Sequence, residues 1–274
     1  MASKQNLRSI SLPSRSHPTT LRVEEELNKL KTTITIQSSS STSSICSNLS
    51  GIQELHKSMN DLLNMSSTQQ LLSDFRNEKC LEQFLDGSVK LLDLCEITRD
   101  MLLQLNEQIQ ALQSAFRRRK GKGESETSVE KYTCLRKKMK KDAIKVIAAL
   151  KQFEITDHHC HLIQLLKDVF VMNSVVFRSV MMFLCGGGSS KPKRNGWFMI
   201  SKLMHRGGVI CEEQTVNEME SADHAVLIAK FDCENAQKRL GDLGRSIEDI
   251  EKCLEGVFRG LIKTRASILN IISL

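Results

Sequence analysis

The sequence predicts an all-α protein, an elongated antiparallel helical bundle that follows a disordered N-terminal arm. Only three prolines occur in 274 residues, and none interrupts residues 19–191 or 193–274. Because a proline costs about 3 kcal/mol inside a helix, both stretches have room for long helices. Aromatic residues make up only 4% of the chain, whereas strands are usually rich in aromatic and β-branched residues. We therefore do not expect a β-sandwich, a barrel or a Rossmann core.

Apolar residues are numerous enough to build a core, at 40% of the chain, which argues against disorder along its whole length. The nine cysteines are widely spaced, include no C-x-x-C pair and mostly stand beside apolar residues. This pattern is typical of reduced thiols that fill a core. We therefore expect nine free cysteines and an intracellular location, cytoplasmic or nuclear.

No segment of the sequence predicts export or a transmembrane span. The N-terminus lacks the apolar region of a secretory signal. The longest apolar run, residues 169–185, is short and is interrupted by polar residues. We interpret it as a buried core helix.

The chain divides into an arm and one predicted domain. Residues 1–18 are basic and serine-rich, with no acidic residue before Glu24, and residues 19–274 are expected to form a single helical bundle. The spacing of the interruptions lets the chain fold back on itself, which favours a bundle over a fibrous coiled coil. Serine, glycine or charge interrupts the apolar pattern at three places, and we expect flexible loops near 37–44, 120–127 and 186–196.

Between these loops, apolar residues recur every three or four positions, the spacing of one helix face. The first helix is predicted over 19–31 and the second over 45–63. A third is predicted to begin at Ser66, in a capping box with the glutamine three residues later. The fourth is predicted over 78–119, roughly 60 Å long at 1.5 Å per residue, with a bend expected at Gly87.

The later helices have polar residues at their predicted starts. Thr127 with Glu130, and Thr215 with Glu218, have the spacing of capping boxes, and Asp157 is a predicted cap for the helix between them. The last helix has the cleanest apolar stripe, sustained over about four heptads as in helix–helix packing. The stripe consists of Leu240, Leu243, Ile247, Ile250, Leu254, Val257, Leu261, Ile268 and Ile272.

No pattern predicts catalysis, a cofactor or a metal site. Residues 157–160 spell Asp-His-His-Cys, the signature of protein S-acyltransferases, but the cysteine-rich zinc domain and transmembrane helices of those enzymes are missing. A metal site that includes His161 is the alternative, yet structural zinc requires four ligands, usually in paired spacings. We interpret the segment as a capped helix start. The glycines at 186–188 lack the spacing of a phosphate-binding loop.

Positive charge concentrates in residues 117–145, which we call the basic tip. Twelve basic and four acidic residues give this segment +8, whereas the whole chain is +7. Such a cluster is suited to bind anionic lipid or nucleic acid or to act as a nuclear-import signal, and the alternative is a solvated loop. Few aromatic residues accompany it, so we expect an anionic membrane surface and not nucleic acid. The candidate anion-binding residues are Arg117, Arg118, Arg119, Lys120, Lys137, Lys138, Lys140 and Lys141.

The arm contains a candidate phosphorylation site. Residues 8–13 spell Arg-Ser-Ile-Ser-Leu-Pro, the pattern that 14-3-3-class adaptors bind when the second serine is phosphorylated. The candidate residues are Arg8, Ser11 and Pro13: a phosphate on Ser11 would meet arginines of the adaptor, and Pro13 would turn the chain away. The alternative is a plastid transit peptide, because the arm is basic, serine-rich and free of acidic residues.

Three segments of the chain carry a family resemblance. They are RSISLPSRSHPTTLRVEEELNKLK, SSICSNLSGIQELHKSMNDLL and SSKPKRNGWFMISKLMH. Through them, and over essentially its whole length, the chain resembles a plant-specific family of uncharacterised proteins related to the BYPASS proteins. The resemblance implies a plant protein with no assigned enzymatic activity and no catalytic residues, linked in the family to root and shoot development.

Two functions from different classes follow from these patterns. The first is a non-enzymatic regulatory protein that acts through protein contacts, under control of phosphorylation of the arm. The second is a peripheral membrane or lipid-associated factor that uses the basic tip.

Overall fold

The computed structural model describes residues 17–36, 41–75, 78–118, 122–151, 160–186 and 217–273. Within these ranges the chain is helical and has no strand, so the predicted all-α bundle is confirmed. Residues 1–16, which make up most of the predicted arm and include Ser11, lie outside the described residues, as does most of the predicted loop at 186–196. The helices of the described ranges are α1 (Pro18–Ile36), α2 (Thr42–Leu63), α3 (Ser66–Asp74), α4 (Lys79–Arg118), α5 (Lys122–Leu150), α6 (His161–Cys185), α7 (Glu218–Leu227) and α8 (Cys233–Ile272).

Two helices of 40 residues, α4 and α8, form an antiparallel pair that sets the length of the bundle. Arg265, near the end of α8, donates a hydrogen bond to the hydroxyl of Ser88, near the start of α4 (2.7 Å). At the other end, the side chain of Gln113 lies against Gly241. The last turn of α4 and the first turn of α8 therefore lie together, and we call this the hairpin end of the bundle.

The second helix, α2, runs parallel to α8 and packs closely against it because α8 carries glycines there. A Cβ atom added to Gly260 would lie 2.9 Å from Cβ of His56, and one added to Gly256 would lie 2.5 Å from the amide of Gln53. The same close approach lets Nε2 of Gln53 donate a hydrogen bond to the backbone carbonyl of Cys253 (2.7 Å). Side chains larger than glycine would hold the two helices apart.

A buried imidazole connects three helices of the core. Nε2 of His56 lies 3.1 Å from Oδ1 of Asn173 on α6, and Nδ1 lies 3.0 Å from the hydroxyl of Thr264 on α8. An amide oxygen can only accept, so Nε2 donates and Nδ1 accepts from Thr264. Burial lowers the pKa of His56 to about 4, although the hydrogen bond with Asn173 acts in the opposite direction. The ring is therefore neutral at neutral pH and its hydrogen bonds fix the register of the three helices.

The most apolar helix, α6, lies against α1, α2, α4, α5 and α7. By length and composition alone it could cross a membrane, since its most apolar stretch has a mean hydropathy of 1.6, and 56% of that stretch is buried in the bundle. The core helices of many proteins share these properties. The described part of α6 begins at His161 after Cys160, whose side chain makes no capping hydrogen bond. The predicted cap, Asp157, lies outside the described residues.

The start of α2 differs from the prediction, which placed residues 37–44 in a loop. The helix begins at Thr42, and the hydroxyl of Ser41 accepts a hydrogen bond from the backbone N–H of Ser44 (3.3 Å). The carboxylate of Glu218 on α7 accepts another from the N–H of Thr42 (3.2 Å). A negative charge at a helix N-terminus is stabilising, so Glu218, although distant in the sequence, stabilises the start of this helix.

Other helix starts also differ. The third helix begins at Ser66, but its cap is Met65 and Ser66 is already helical, so the predicted capping box is wrong. The fifth begins at Lys122 and not at Thr127, so the predicted loop at 120–127 is helical from residue 122 onward. Sequence alone predicted a loop there because glycine and charged residues are poor core formers.

One helix cap differs from the prediction, and Gly87 makes a contact that the sequence does not show. The cap of α7 is Asn217 instead of Thr215: its side chain accepts a hydrogen bond from the N–H of Glu220 (2.7 Å). Gly87 gives space to the ring of Phe170 on α6, which would lie 2.5 Å from an added Cβ. The structure therefore gives Gly87 a packing role.

The close packing of α2 and α8 can be tested with two glycines of the same helix. Gly260→Ala is expected to lower the free energy of unfolding by about 1–3 kcal/mol, because the new methyl group must displace Cβ of His56. Gly244→Ala is the control: its Cβ would meet only Ile109, at 4.0 Å, and should raise stability by about 0.5–1 kcal/mol through helix propensity. Urea unfolding measures both. Equal changes in the two variants would contradict the close packing.

The buried imidazole predicts a loss of stability in acid. The unfolded chain protonates His56 near its ordinary pKa of 6.5, whereas the folded chain does so only near 4. The unfolded state thus binds more protons between these values, and stability falls as the pH falls through that window, by about 3 kcal/mol in all. Thermal unfolding of the wild type and of His56→Gln against pH tests this. An unchanged slope in the variant would assign the acid sensitivity to other groups.

Candidate interaction surface on helix α5

The fifth helix presents a basic surface to solvent over about 21 Å. Its exposed lysines are spaced by three, four and seven positions, so they lie along one side of the helix. Tyr132, Met139 and Ala143 point to the core instead, whereas Ile144 is 60% exposed among the lysines. We call this surface the α5 basic face, and its members are Lys131, Lys137, Lys138, Lys141 and Lys145.

Most of these charges are uncompensated. Lys145 forms an exposed ion pair with Asp142 on the same helix (3.0 Å), and exposed pairs of this kind contribute little to stability. The other four lysines form no ion pair with other described residues. The α5 basic face therefore keeps a net positive charge that is free to attract an anionic surface.

Arg136, in the middle of α5, is not part of this face, because only 3% of its surface is exposed. Its guanidinium donates to both carboxylate oxygens of Asp223 on α7 (2.8 and 3.0 Å), and Nη1 donates to the backbone carbonyl of Leu184 at the end of α6 (2.8 Å). The hydroxyl of Tyr132 donates to the same carboxylate (2.9 Å), and the ammonium of Lys140 lies 3.1 Å from it. One carboxylate thus holds three side chains of α5.

The electrostatics of this cluster keep its charges in place. Burial alone would raise the pKa of Asp223, but the hydrogen bonds and charges of Arg136 and Lys140 outweigh burial and lower that pKa from its ordinary value. Burial and the charge of Asp223 raise the pKa of Tyr132, which therefore remains a neutral donor. A bidentate pair between arginine and carboxylate has a fixed geometry, so the cluster sets how α5 lies against α6 and α7.

The structure thus divides the residues of the predicted basic tip. Lys140 is half buried and paired with Asp223, so it is not a free anion-binding residue. By sequence alone, Arg136 is one basic residue among the twelve of the basic tip. The signal that could have separated it is the spacing of four between Tyr132, Arg136 and Lys140, on the side of α5 that also carries Met139 and Ala143.

The remaining candidate anion-binding residues lie outside α5. Arg117 and Arg118 are exposed on the last turn of α4, and Nε of Arg118 donates to the backbone carbonyl of Ser114 (3.3 Å). Arg119 and Lys120 lie outside the described residues. The structure therefore does not bring all eight predicted residues into one surface: it gives exposed lysines along α5 and two exposed arginines at the hairpin end.

The described part of the chain has a further groove and no group of metal-ligating side chains. A groove of about 230 Å³ lies between Leu94 and Ile97 of α4 and Val146 and Leu150 of α5, which is below the usual range for small-molecule sites. In the described ranges no three His, Cys, Asp or Glu side chains are grouped as metal ligands do. The eight cysteines of the same ranges are free thiols.

Comparison with known proteins gives one family. Residues 48–271 match the family model described as Protein BPS1. This match covers more than three quarters of the chain, including all of α3 to α7 and nearly all of α8. No curated protein and no solved structure gives a significant match.

The buried cluster predicts that Arg136 stabilises the bundle and that its surface neighbour does not. Arg136→Met should lower the free energy of unfolding by about 3–5 kcal/mol, because Asp223 would remain buried with one partner fewer. Lys137→Met, the exposed control, should change it by no more than about 0.5 kcal/mol. Urea unfolding measures both changes.

A double variant keeps this prediction informative if Arg136→Met fails to fold. Arg136→Met with Asp223→Leu removes both charges and should recover most of the lost stability. A single variant as stable as the wild type would show that the pair does not hold the helices.

Proposed function

The chain belongs to the Protein BPS1 family, and we propose that it is a non-enzymatic regulatory protein of plants that acts in root and shoot development through protein contacts. The observation that carries this proposal is the family match over residues 48–271, together with the three sequence segments that resemble the BYPASS-related family. The α5 basic face and the N-terminal arm supply two chemically distinct surfaces for such contacts.

The proposed protein contact is made by the arm. Phosphorylation of Ser11 would add about −1.5 to −2 charges at neutral pH and three acceptor oxygens, which arginines of a 14-3-3-class adaptor can bind. Arg8 and Pro13 complete the pattern in the sequence. The residue before a proline is disfavoured in a helix, so Pro18 at the start of α1 separates the arm from the bundle.

Binding of peptides that span residues 5–18 tests this contact. The peptide phosphorylated at Ser11 should bind a 14-3-3-class adaptor, measured by calorimetry, and Pro13→Ala should weaken it. In the full chain, Ser11→Ala should abolish co-purification with the adaptor, whereas Ser14→Ala, in the same arm but outside the pattern, is the matched control and should leave it unchanged. Equal binding by the unphosphorylated peptide would rule out this mode of recognition, as would cleavage of the chain after the arm.

A second candidate function is favoured by the α5 basic face: attachment to an anionic membrane surface. Four lysines on one exposed side of α5 form no ion pair with other described residues, and each provides attraction of about 1 kcal/mol near such a surface. Replacement of Lys137, Lys138 and Lys141 by Gln should therefore weaken binding to vesicles of phosphatidylcholine with phosphatidylserine by about two powers of ten. Sedimentation of the full chain with these vesicles measures the change.

The control removes the same charge elsewhere. Lys57, Lys252 and Lys263 are exposed on α2 and α8, and their replacement by Gln changes the net charge equally. This control variant should bind nearly as well as the wild type. Equal weakening in both triple variants would indicate attraction by net charge alone and would contradict a role for the α5 basic face.

A further inference from the structure

Two large apolar side chains are exposed together in the turn between α7 and α8. Leu227 is 70% exposed and Phe231 is 91% exposed. Large apolar side chains are normally buried on folding, because their removal from water stabilises the folded state. Two such exposed side chains, four positions apart, therefore often mark a contact surface. We call residues 227–232 the α7–α8 turn.

Hydrogen bonds fix the backbone conformation of the turn. The backbone N–H groups of Phe231 and Asp232 both donate to the carbonyl of Ile228 (2.9 and 3.1 Å), and Asp232 caps α8 by accepting from the N–H of Asn235 (3.0 Å). Ala229 is buried beneath the turn. The backbone therefore holds the two apolar side chains outward.

The end of the bundle that carries the pair has a net positive charge. The turn precedes α8 and therefore lies at the hairpin end, where the last turn of α4 carries exposed arginines. The last turn of α4 and residues 224–239 together carry five exposed basic side chains and two exposed acidic ones, Asp232 and Glu234. The first turns of α5 with described side chains add two acidic residues and one lysine, which leaves a net charge of +2. The five basic residues are Arg117, Arg118, Lys230, Lys238 and Arg239.

We propose that the α7–α8 turn is a membrane anchor, in which Leu227 and Phe231 enter the interfacial region of an anionic bilayer while the surrounding basic side chains contact lipid headgroups. This inference rests on the membrane function proposed for the α5 basic face and adds the apolar part that lysines cannot supply. Basic residues attract the bundle to the surface, and the apolar pair prolongs its stay there.

The size and position of the pair favour a membrane over a protein partner. An exposed phenylalanine offers roughly 200 Å², whereas a stable protein interface buries about 800 Å² on each partner. The pair lies on a turn at the end of the bundle, and such a protruding position suits insertion between lipid headgroups. A second copy of this chain, or another protein, would require a larger apolar surface than two side chains.

The anchor can be tested without disturbing the fold, because both side chains are exposed. Leu227→Ser and Phe231→Ser should each weaken binding of the full chain to phosphatidylcholine–phosphatidylserine vesicles by roughly tenfold or more, as expected for loss of one inserted apolar side chain. Ile262→Ser is the matched control, since Ile262 is 45% exposed on α8 about 45 Å from the hairpin end. It should leave binding unchanged.

A fluorescent probe reports insertion directly. In a chain carrying Trp197→Phe, which leaves no other tryptophan, Phe231→Trp should give emission that shifts to shorter wavelength with anionic vesicles. Brominated acyl chains should quench it. Ile262→Trp in the same background should show neither change.

The outcomes separate this inference from the function on which it rests. If Phe231→Ser binds as well as the wild type and the Phe231→Trp probe shows no shift, while the lysine variant of α5 loses binding, the anchor is wrong and the membrane function stands. If the wild type does not bind anionic vesicles at all, both are overturned. If Phe231→Ser instead abolishes self-association of the wild type in light scattering, the turn is an interface between copies and the anchor is again wrong.

Discussion

The buried pair between Arg136 and Asp223 is the contact on which the placement of both candidate surfaces depends. A buried charge must have a partner, because removal from water costs several kcal/mol. Each of the three guanidinium nitrogens of Arg136 donates a hydrogen bond, two to Asp223 on α7 and one to the backbone carbonyl of Leu184 at the end of α6. These hydrogen bonds orient α5 so that the side with Tyr132 faces the core and the lysines face solvent. It also ties α7, and the turn that follows it, to the same rigid part of the bundle.

Close helix packing gives that rigid part its shape. Because α8 has glycines where α2 crosses it, side chains of α2 lie directly against the backbone of α8. The hydrogen bonds of His56 then fix the register between α2, α6 and α8. The carboxylate of Glu218 on α7 also accepts a hydrogen bond from the first N–H group of α2, which connects these two helices. Because the core is fixed in this way, the exposed lysines project from a fixed helix, and the exposed apolar side chains lie at the end of α7 and in the turn that follows it.

The sequence predicts the helical elements well because the apolar spacing of three and four is a local property. The stripe from Leu240 to Ile272 follows α8 closely. Helix starts are predicted less well, since the first N–H group of α2, that of Thr42, donates to Glu218, a residue 176 positions away. The same reason applies to the surfaces. Sequence does not separate buried Arg136 from exposed Lys137, nor does it show that Phe231 stays in solvent, because both depend on tertiary packing.

Hydrogen–deuterium exchange of the full chain, with and without phosphatidylserine-containing vesicles, tests the central claim that the bundle acts through exposed surfaces on an unchanged core. Exchange with vesicles is expected to be slower in peptides that cover residues 131–145 and 227–239, with no change in α2 or in α8 beyond residue 245. The opposite result, protection absent from both segments or spread through α2 and the whole of α8, would contradict it.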